Sequence, residues 1–136
     1  MQTLEQFDML RSAEGDALLQ RIESDLAAGK SELQIASRLR SEFPGEIVAA
    51  AMTLTAVRAR AAGKFSRAGE MWLTRAGYEQ SSSEATSRYR AARYAGFGRV
   101  ADLCCGIGGD LIGLASVSDV LAVDRDPLHL ACALAN

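Results

Sequence analysis

The chain of 136 residues is 49% hydrophobic and 24% charged, which is typical of a soluble globular protein. Its length suits one domain, or a small helical domain joined to part of another, and no apolar run approaches the roughly 18 residues that span a bilayer. Three cysteines, two of them adjacent, do not make a disulfide framework, so together with the polar N-terminus they predict a reduced, cytoplasmic protein with no membrane partner.

Charge is distributed unevenly around a net value of −2. Residues 58–99 hold nine Lys/Arg against three Asp/Glu, whereas residues 1–57 and 100–136 are both acidic. A basic middle segment is compatible with an anionic partner such as nucleic acid. The alternative interpretation is a solvated helix face that carries arginines, and the sequence leaves both open.

The first 63 residues predict three helices that pack as a small bundle over residues 1–65. Gly29, Pro44 and Gly63 mark their ends, and Ser31 caps the second helix. The predicted inward faces consist of Leu18, Leu19, Ile22 and Leu26 in the first helix, of Leu33, Ala36, Leu39 and Phe43 in the second, and of Ile47, Ala50, Ala51, Leu54 and Ala61 in the third.

Residues 66–98 predict a linker and a helix that lead into the next domain. Residues 71–74 suit either a short strand or an extended linker, with Trp72 as a core anchor. Ser81 and Glu84 have the spacing of a capping box. The helix that they would open carries Ala85, Tyr89 and Ala92 on one face and ends at Gly96.

From residue 99 the pattern changes to alternating strands and helices. Residues 100–105 and 119–124 are short, mostly apolar runs, typical of parallel strands covered on both faces. A glycine turn and a helix near residues 109–115 separate them. Asp126 and Pro127 then mark the cap and the first turn of a second helix. Residues 99–136 therefore predict a right-handed β-α-β unit and the start of the next helix.

The turn after the first strand, Gly106-Ile107-Gly108-Gly109, is the most informative segment. Gly106 and Gly108 lack the Cβ atoms that would keep a ligand away from the backbone. Asp124 closes the second strand, and neighbouring strand ends in a doubly wound sheet would bring it to the ligand over the turn. A carboxylate there can accept hydrogen bonds from both hydroxyls of a ribose. The hypothesis requires that Asp124 lie against the 104–109 turn.

The glycine spacing disfavours a dinucleotide and hence a nicotinamide oxidoreductase. If the G-x-G-x-x-G/A fingerprint begins at Gly106, its third glycine position is occupied by Leu111. If it begins at Gly108, its second glycine position is occupied by Asp110. Asp102 and Asp110 flank the turn, where they would repel a pyrophosphate. S-adenosylmethionine instead brings a cationic ammonium and a cationic sulfonium, which suit an acidic loop.

Residues 102–110, Asp-Leu-Cys-Cys-Gly-Ile-Gly-Gly-Asp, and residues 123–127, Val-Asp-Arg-Asp-Pro, resemble the first two cofactor motifs of class I S-adenosylmethionine-dependent methyltransferases. They are most similar to the RNA-modifying branch that includes trimethylguanosine synthase and its bacterial relatives, with its D-x-x-C-G-x-G-G-[ND] loop and its D-x-D-P strand end. The resemblance covers about residues 70–136. It implies a Rossmann-like fold, S-adenosylmethionine as cofactor and RNA as substrate.

The resemblance also implies roles for individual residues. Asp102 would lie beside the methionine amino group, Asp110 would fix the loop or contact that group, and Asp124 would bind the ribose hydroxyls. The backbone of Cys104, Cys105, Gly106, Ile107 and Gly108 would wrap the methionine moiety. Arg125 would lie along the adenine, and Thr74 would reach the methionine carboxylate.

The remaining reactive side chains have structural interpretations. Cys104 and Cys105 are expected to pack as small residues, and Asp126 is interpreted as a helix cap. His129, the one histidine, is expected to be solvated. With Cys132 the one further cysteine, no metal site is predicted.

Neither proline lies in the [DN]-P-P-[YFW] turn that positions the substrate in amino-group methyltransferases, so the catalytic residues stay unassigned. We expect a truncated methyltransferase that holds the cofactor-loop half, lacks the catalytic and substrate half, and is inactive alone. Its two strands would leave an exposed edge or pair in a homodimer. The alternative is a non-enzymatic helical nucleic-acid-binding or interaction module with a vestigial cofactor fold.

Overall fold

Eight helices and a two-stranded parallel sheet form the chain in a computed structural model that describes residues 1–136. The protein is therefore α/β and mostly helical, as the sequence predicts. None of its helices has both the length and the apolar character needed to cross a membrane.

The N-terminal helices are α1 (Leu4–Leu10), α2 (Ala13–Ala27), α3 (Glu32–Leu39) and α4 (Gly45–Ala61). Helix α1 was not predicted, because its seven residues are too few to show a helical period. Ser31 caps α3 through a reciprocal capping box with Gln34, so the predicted cap is confirmed. Small residues on α4, including Ala50 and Ala51, are buried and let the neighbouring helices approach closely.

Two residues predicted to face the bundle core point outward. Leu33 is 79% exposed, because Ile35 and Leu39 define the buried face of α3 and position 33 lies almost opposite residue 35. Leu26 is exposed at the end of α2, where Asp25 is buried instead. Asp25 forms ion pairs with Lys30 and Arg38, which compensate the burial of its charge.

Residues 62–98 contain a 3-10 turn (Ala68–Glu70), α5 (Arg75–Gln80), α6 (Glu84–Ala91) and a second 3-10 turn (Ala92–Tyr94). Residues 71–74 form no strand, so the extended-linker alternative is the correct one. Trp72 is half-buried and packs edge-on against Phe7, with 5.3 Å between ring centroids. Helix α5 was not predicted.

The capping prediction for α6 is wrong by two residues. Ser83, not Ser81, is the N-cap, and its hydroxyl accepts the amide of Thr86. Glu84 instead accepts a hydrogen bond of 2.7 Å from the amide of Ser66, which ties α6 to the segment after α4. The face that carries Ala85, Tyr89 and Ala92 is exposed, and Ser87 and Ala91 point into the protein interior instead.

The sheet consists of β1 (Arg99–Asp102) and β2 (Asp119–Ala122), which pair in parallel with Arg99 opposite Asp119. Helix α7 (Leu111–Leu114) connects them, and α8 (Pro127–Ala135) follows β2. Alternate strand residues are half-buried under the helices, whereas Ala101 and Leu121 on the other face are exposed. The expectation of strands covered on both faces is wrong, because two strands with three short helices cover only one.

One hydrophobic core unites the three predicted segments. Its 22 buried residues include Leu54 from α4, Leu73 from the linker, and Ile107, Leu128 and Cys132 from the region after β1. Because Ile107 belongs to the glycine turn, the shape of that turn depends on the same core that stabilises the helices. The division at residues 65 and 98 stays a prediction.

Candidate functional site

The turn between β1 and α7 is shaped by two glycines in the left-handed region of backbone space. Gly106 has φ 53° and Gly108 has φ 87°, which residues with a side chain rarely adopt. Nothing lies within 4 Å of the position that a Cβ of Gly106 would occupy. At Gly108 a Cβ would come within 3.2 Å of the Ala133 backbone. The bare backbone of Gly108 therefore serves packing against α8, whereas that of Gly106 leaves open space.

Asp124 lies directly against this turn. Its Oδ2 accepts the amide of Gly106 at 2.7 Å, and its Oδ1 accepts the amide of Asp126 at 2.9 Å. These two backbone bonds, that of Asp126 first, lower the pKa of Asp124 below its usual value. The contact that the sequence hypothesis requires between Asp124 and the turn is present in the structure. Each carboxylate oxygen retains acceptor capacity for a further donor.

A cavity of about 820 Å³ lies beside the turn and the end of β2. Eight of the ten residues predicted to bind a cofactor line it: Asp102, Cys104, Cys105, Gly106, Ile107, Asp110, Asp124 and Arg125. Gly108 and Thr74 do not. Four carboxylates, those of Asp102, Asp110, Asp124 and Asp126, border the cavity together with the cationic side chains of Arg90 and Arg125.

The environment of Asp102 is unfavourable for a charged carboxylate. Burial raises its pKa, and the charges of Asp110 and Asp124 raise it further, against a hydrogen bond from the amide of Cys104. Its side chain otherwise has no hydrogen-bond donor from the protein. A cationic ligand group beside Asp102 would relieve this electrostatic cost.

We therefore expect Asp102→Asn to stabilise the unliganded protein. Because the folded-state pKa of Asp102 lies above the unfolded-state pKa, folding stability falls as the pH rises between those two values. The Asp102→Asn variant has no carboxyl group to ionise at this position, so its Tm should exceed that of the wild type at pH 7. The difference in Tm should shrink toward pH 3. Calorimetric scans across this range measure the effect. A lower Tm at pH 7 would show that the charge of Asp102 stabilises the fold.

Thr74, to which the resemblance assigns the methionine carboxylate, is buried and does not border the cavity. It is 5% exposed, its Oγ1 accepts the amide of Gly77 as the N-cap of α5, and it lies 3.0 Å from Nε2 of His129. The expectation of a solvated His129 is wrong, because its side chain is only 16% exposed and borders the cavity. The linker before α5 packs on α8, which brings together residues 55 positions apart.

Arg90 and Ser82 border the cavity, although neither was predicted as a site residue. Nη1 of Arg90 donates to Ser82 Oγ and to Asp110 Oδ2, both at 2.6 Å. Ser87 adds a second link, because its hydroxyl donates to the Asp110 carbonyl and accepts the amide of Gly113, both at 2.9 Å. Asp110 thus joins α6 to the turn. The available signal was the arginine-rich character of residues 88–93.

Asn136 also supports the turn from a distance in sequence. Its Nδ2 donates to the carbonyl of Ile107 at 2.8 Å, and its side-chain amide pairs with both the amide and the carbonyl of Trp72. One side chain therefore connects the end of α8, the extended linker and the glycine turn.

The cysteines and the helix cap follow their structural interpretations in part. Asp126 caps α8 through the amides of Leu128 and His129, as predicted, although it also borders the cavity. Cys105 packs as a buried small residue, but Cys104 is exposed. Burial raises the pKa of Cys132 to about 12. No group of three or more His, Cys, Asp or Glu side chains is arranged to hold a metal ion.

Most of the basic segment is engaged within the protein. Ion pairs join Arg67 to Glu70, Arg75 to Glu79, Arg88 to Glu84 and Arg90 to Asp110. Arg58 packs over the ring of Trp72 with 5.4 Å to its centroid. These pairs agree with the interpretation of a solvated face, whereas Arg60, Lys64, Arg93 and Arg99 have no carboxylate partner.

Comparisons with known proteins bear on the helical part of the chain. A family model described as a domain of unknown function, DUF8688, matches residues 3–61, which span α1 to α4. No curated protein and no solved structure matches the chain. The matched segment ends before the cavity.

Proposed function

We propose that the protein binds S-adenosylmethionine between the 104–109 turn and the end of β2, as part of a methyltransferase with a Rossmann-like cofactor fold. The observation that carries this proposal is the contact of 2.7 Å between Asp124 and the Gly106 amide at the edge of an acid-lined cavity. In a parallel sheet, the carboxyl ends of the strands are where ligands bind.

The chemistry of the cavity fits this cofactor. A volume of about 820 Å³ is within the range of about 300–1,000 Å³ typical of small-molecule sites. Four carboxylates attract a ligand that carries a sulfonium and an ammonium, whereas they repel the pyrophosphate of a dinucleotide. The four-residue length of α7 also offers little helix dipole to a phosphate.

The residues have separable roles in this proposal. Asp124 accepts hydrogen bonds from the ribose hydroxyls while it holds the Gly106 amide, and Asp102 lies beside the ammonium. The backbone of residues 104–107 wraps the methionine chain, and the exposed Arg125 covers the adenine. The bound cofactor supplies an activated methyl group for in-line displacement, and the protein contributes by fixing the position of that group.

We propose RNA as the substrate class and the cytoplasm as the location. Of the four arginines between Glu84 and Asp102, Arg93 and Arg99 have no carboxylate partner. Arg93 lies 5.2 Å from the centroid of the exposed Tyr89 ring, and the ring of Phe97 is exposed as well. Arginines interleaved with exposed rings are typical of surfaces that contact phosphates and stack bases. The three free cysteines agree with a reducing compartment.

Isothermal titration with S-adenosylhomocysteine and with NADH tests the cofactor proposal. We expect saturable one-to-one binding of S-adenosylhomocysteine and no heat from NADH, because the acidic cavity disfavours the pyrophosphate. Binding of NADH alone, or of neither compound, would refute the proposal. The non-enzymatic nucleic-acid module is the better description under two conditions. The wild-type protein binds neither compound, and its salt-dependent binding of RNA is unchanged in the Asp124→Ala variant.

A further inference from the structure

The guanidinium of Arg90 is hydrogen-bonded to the protein through one nitrogen, and its other two nitrogens are free to bind a ligand. Arg90 lies near the end of α6, with its side chain half exposed. Both of its hydrogen bonds, to Ser82 Oγ and to Asp110 Oδ2, use Nη1. The Nη2 and Nε hydrogens have no protein acceptor. A guanidinium fixed in this way retains donors for bidentate binding of a carboxylate.

The location of Arg90 links it to the ammonium position of the proposed cofactor. The cavity of about 820 Å³ adjoins a groove of about 360 Å³, and Arg90, Asp102, Leu103 and Asp110 border both. Asp124, Arg125 and Asp126 border only the larger cavity. Arg90 and Asp102 therefore lie together at the end where the cavity meets the groove, which Asp124 does not border.

A cation and an anion at this end match the two charges of an α-amino acid. The unfavourable position of Asp102 calls for a cationic partner, and Arg90 is the one cationic side chain on the border that the cavity and the groove share. Another residue is needed to bind the carboxylate that the resemblance assigns to Thr74, because the Thr74 hydroxyl is buried and contacts Gly77 and His129.

We infer that Arg90 binds the carboxylate of the ligand's amino-acid end, with Asp102 accepting its ammonium. The inference rests on the proposed function, because it assigns one end of the same ligand. Asp110 acts as a positioning residue, since it orients the guanidinium without touching the ligand carboxylate. The site would thus distinguish a nucleoside that carries an amino acid from the nucleoside alone.

Titration with two ligands tests this assignment. S-adenosylhomocysteine carries the amino-acid end, and 5′-methylthioadenosine lacks it. We expect Arg90→Gln to weaken the binding of S-adenosylhomocysteine about 10- to 100-fold, the range of a charged hydrogen-bonded contact. The affinity for 5′-methylthioadenosine should be unchanged. Arg90→Lys should recover part of the loss, because it keeps the charge without the planar fork. Arg88→Gln is the matched control, since Arg88 lies on the same helix, pairs with Glu84 and does not border the cavity.

The outcomes separate the two proposals. Unchanged affinity of Arg90→Gln for S-adenosylhomocysteine, or an equal loss for both ligands, would overturn the role of Arg90 while the cofactor proposal stands. Failure of the wild-type protein to bind S-adenosylhomocysteine would overturn the cofactor proposal itself. Should Arg90→Gln not fold, decarboxylated S-adenosylmethionine offered to the wild-type protein makes the same comparison. Binding as tight as that of S-adenosylmethionine would contradict the assignment.

Discussion

Replacement of Asp124 by alanine is expected to lower the affinity for S-adenosylhomocysteine by about two to four orders of magnitude. Two charge-assisted hydrogen bonds to ribose hydroxyls contribute about 1.5–3 kcal/mol each, and their sum corresponds to that loss. The substitution also removes the acceptor of the Gly106 amide, so the turn loses the bond that joins it to β2. Isothermal titration measures the affinity, and circular dichroism checks that the helices remain folded.

Two further variants separate charge from loop shape. Asp119→Ala removes a carboxylate from the opposite end of β2, where it is exposed, and should leave affinity unchanged. Asp124→Asn retains an oxygen for the Gly106 amide but loses the charge, so its affinity should be intermediate. If Asp124→Ala binds S-adenosylhomocysteine within threefold of wild type, Asp124 does not contact the ligand.

Gly113→Ala is expected to destabilise the fold by about 3 kcal/mol, at the upper end for an overpacked interior. A Cβ at this position would come within 2.5 Å of Ser87 Oγ and 2.7 Å of the Ser87 carbonyl carbon and oxygen. The backbone of α6 would have to move away, which would also break the 2.9 Å bond from the Gly113 amide to Ser87. Thermal or urea unfolding measures the change.

Gly63→Ala provides the control, because nothing lies within 4 Å of its would-be Cβ and its φ is not positive. Its stability should be equal to that of the wild type or slightly greater. An unaltered Tm for Gly113→Ala would mean that α6 and α7 can separate freely. Because Ser87 also holds the Asp110 carbonyl, we expect the destabilised variant to bind cofactor less tightly as well.

The parts of the fold that could be predicted depend on interactions within a few residues. Ser31 and Asp126 are caps, and each bonds to amides two or three positions away. The predicted inward residues of α2 and α4, apart from Leu26, are buried, because helical periodicity extends over 15 and 17 residues there. Periodicity becomes ambiguous in shorter elements, which is why α1 and α5 were missed and Leu33 was placed on the wrong face of α3.

The candidate site likewise has one part that local sequence predicts and another that depends on packing between distant segments. The contact between Asp124 and Gly106 is encoded locally, because a β-α-β unit with parallel strands brings the two strand ends together wherever the unit forms. Packing between distant segments decides the rest of the cavity wall. The ion pair of Arg90 with Asp110 spans 20 positions, and the hydrogen bond of Thr74 to His129 spans 55. Such contacts form only when α5, α6 and α8 pack against the turn around a shared core, so no local sequence pattern predicts them.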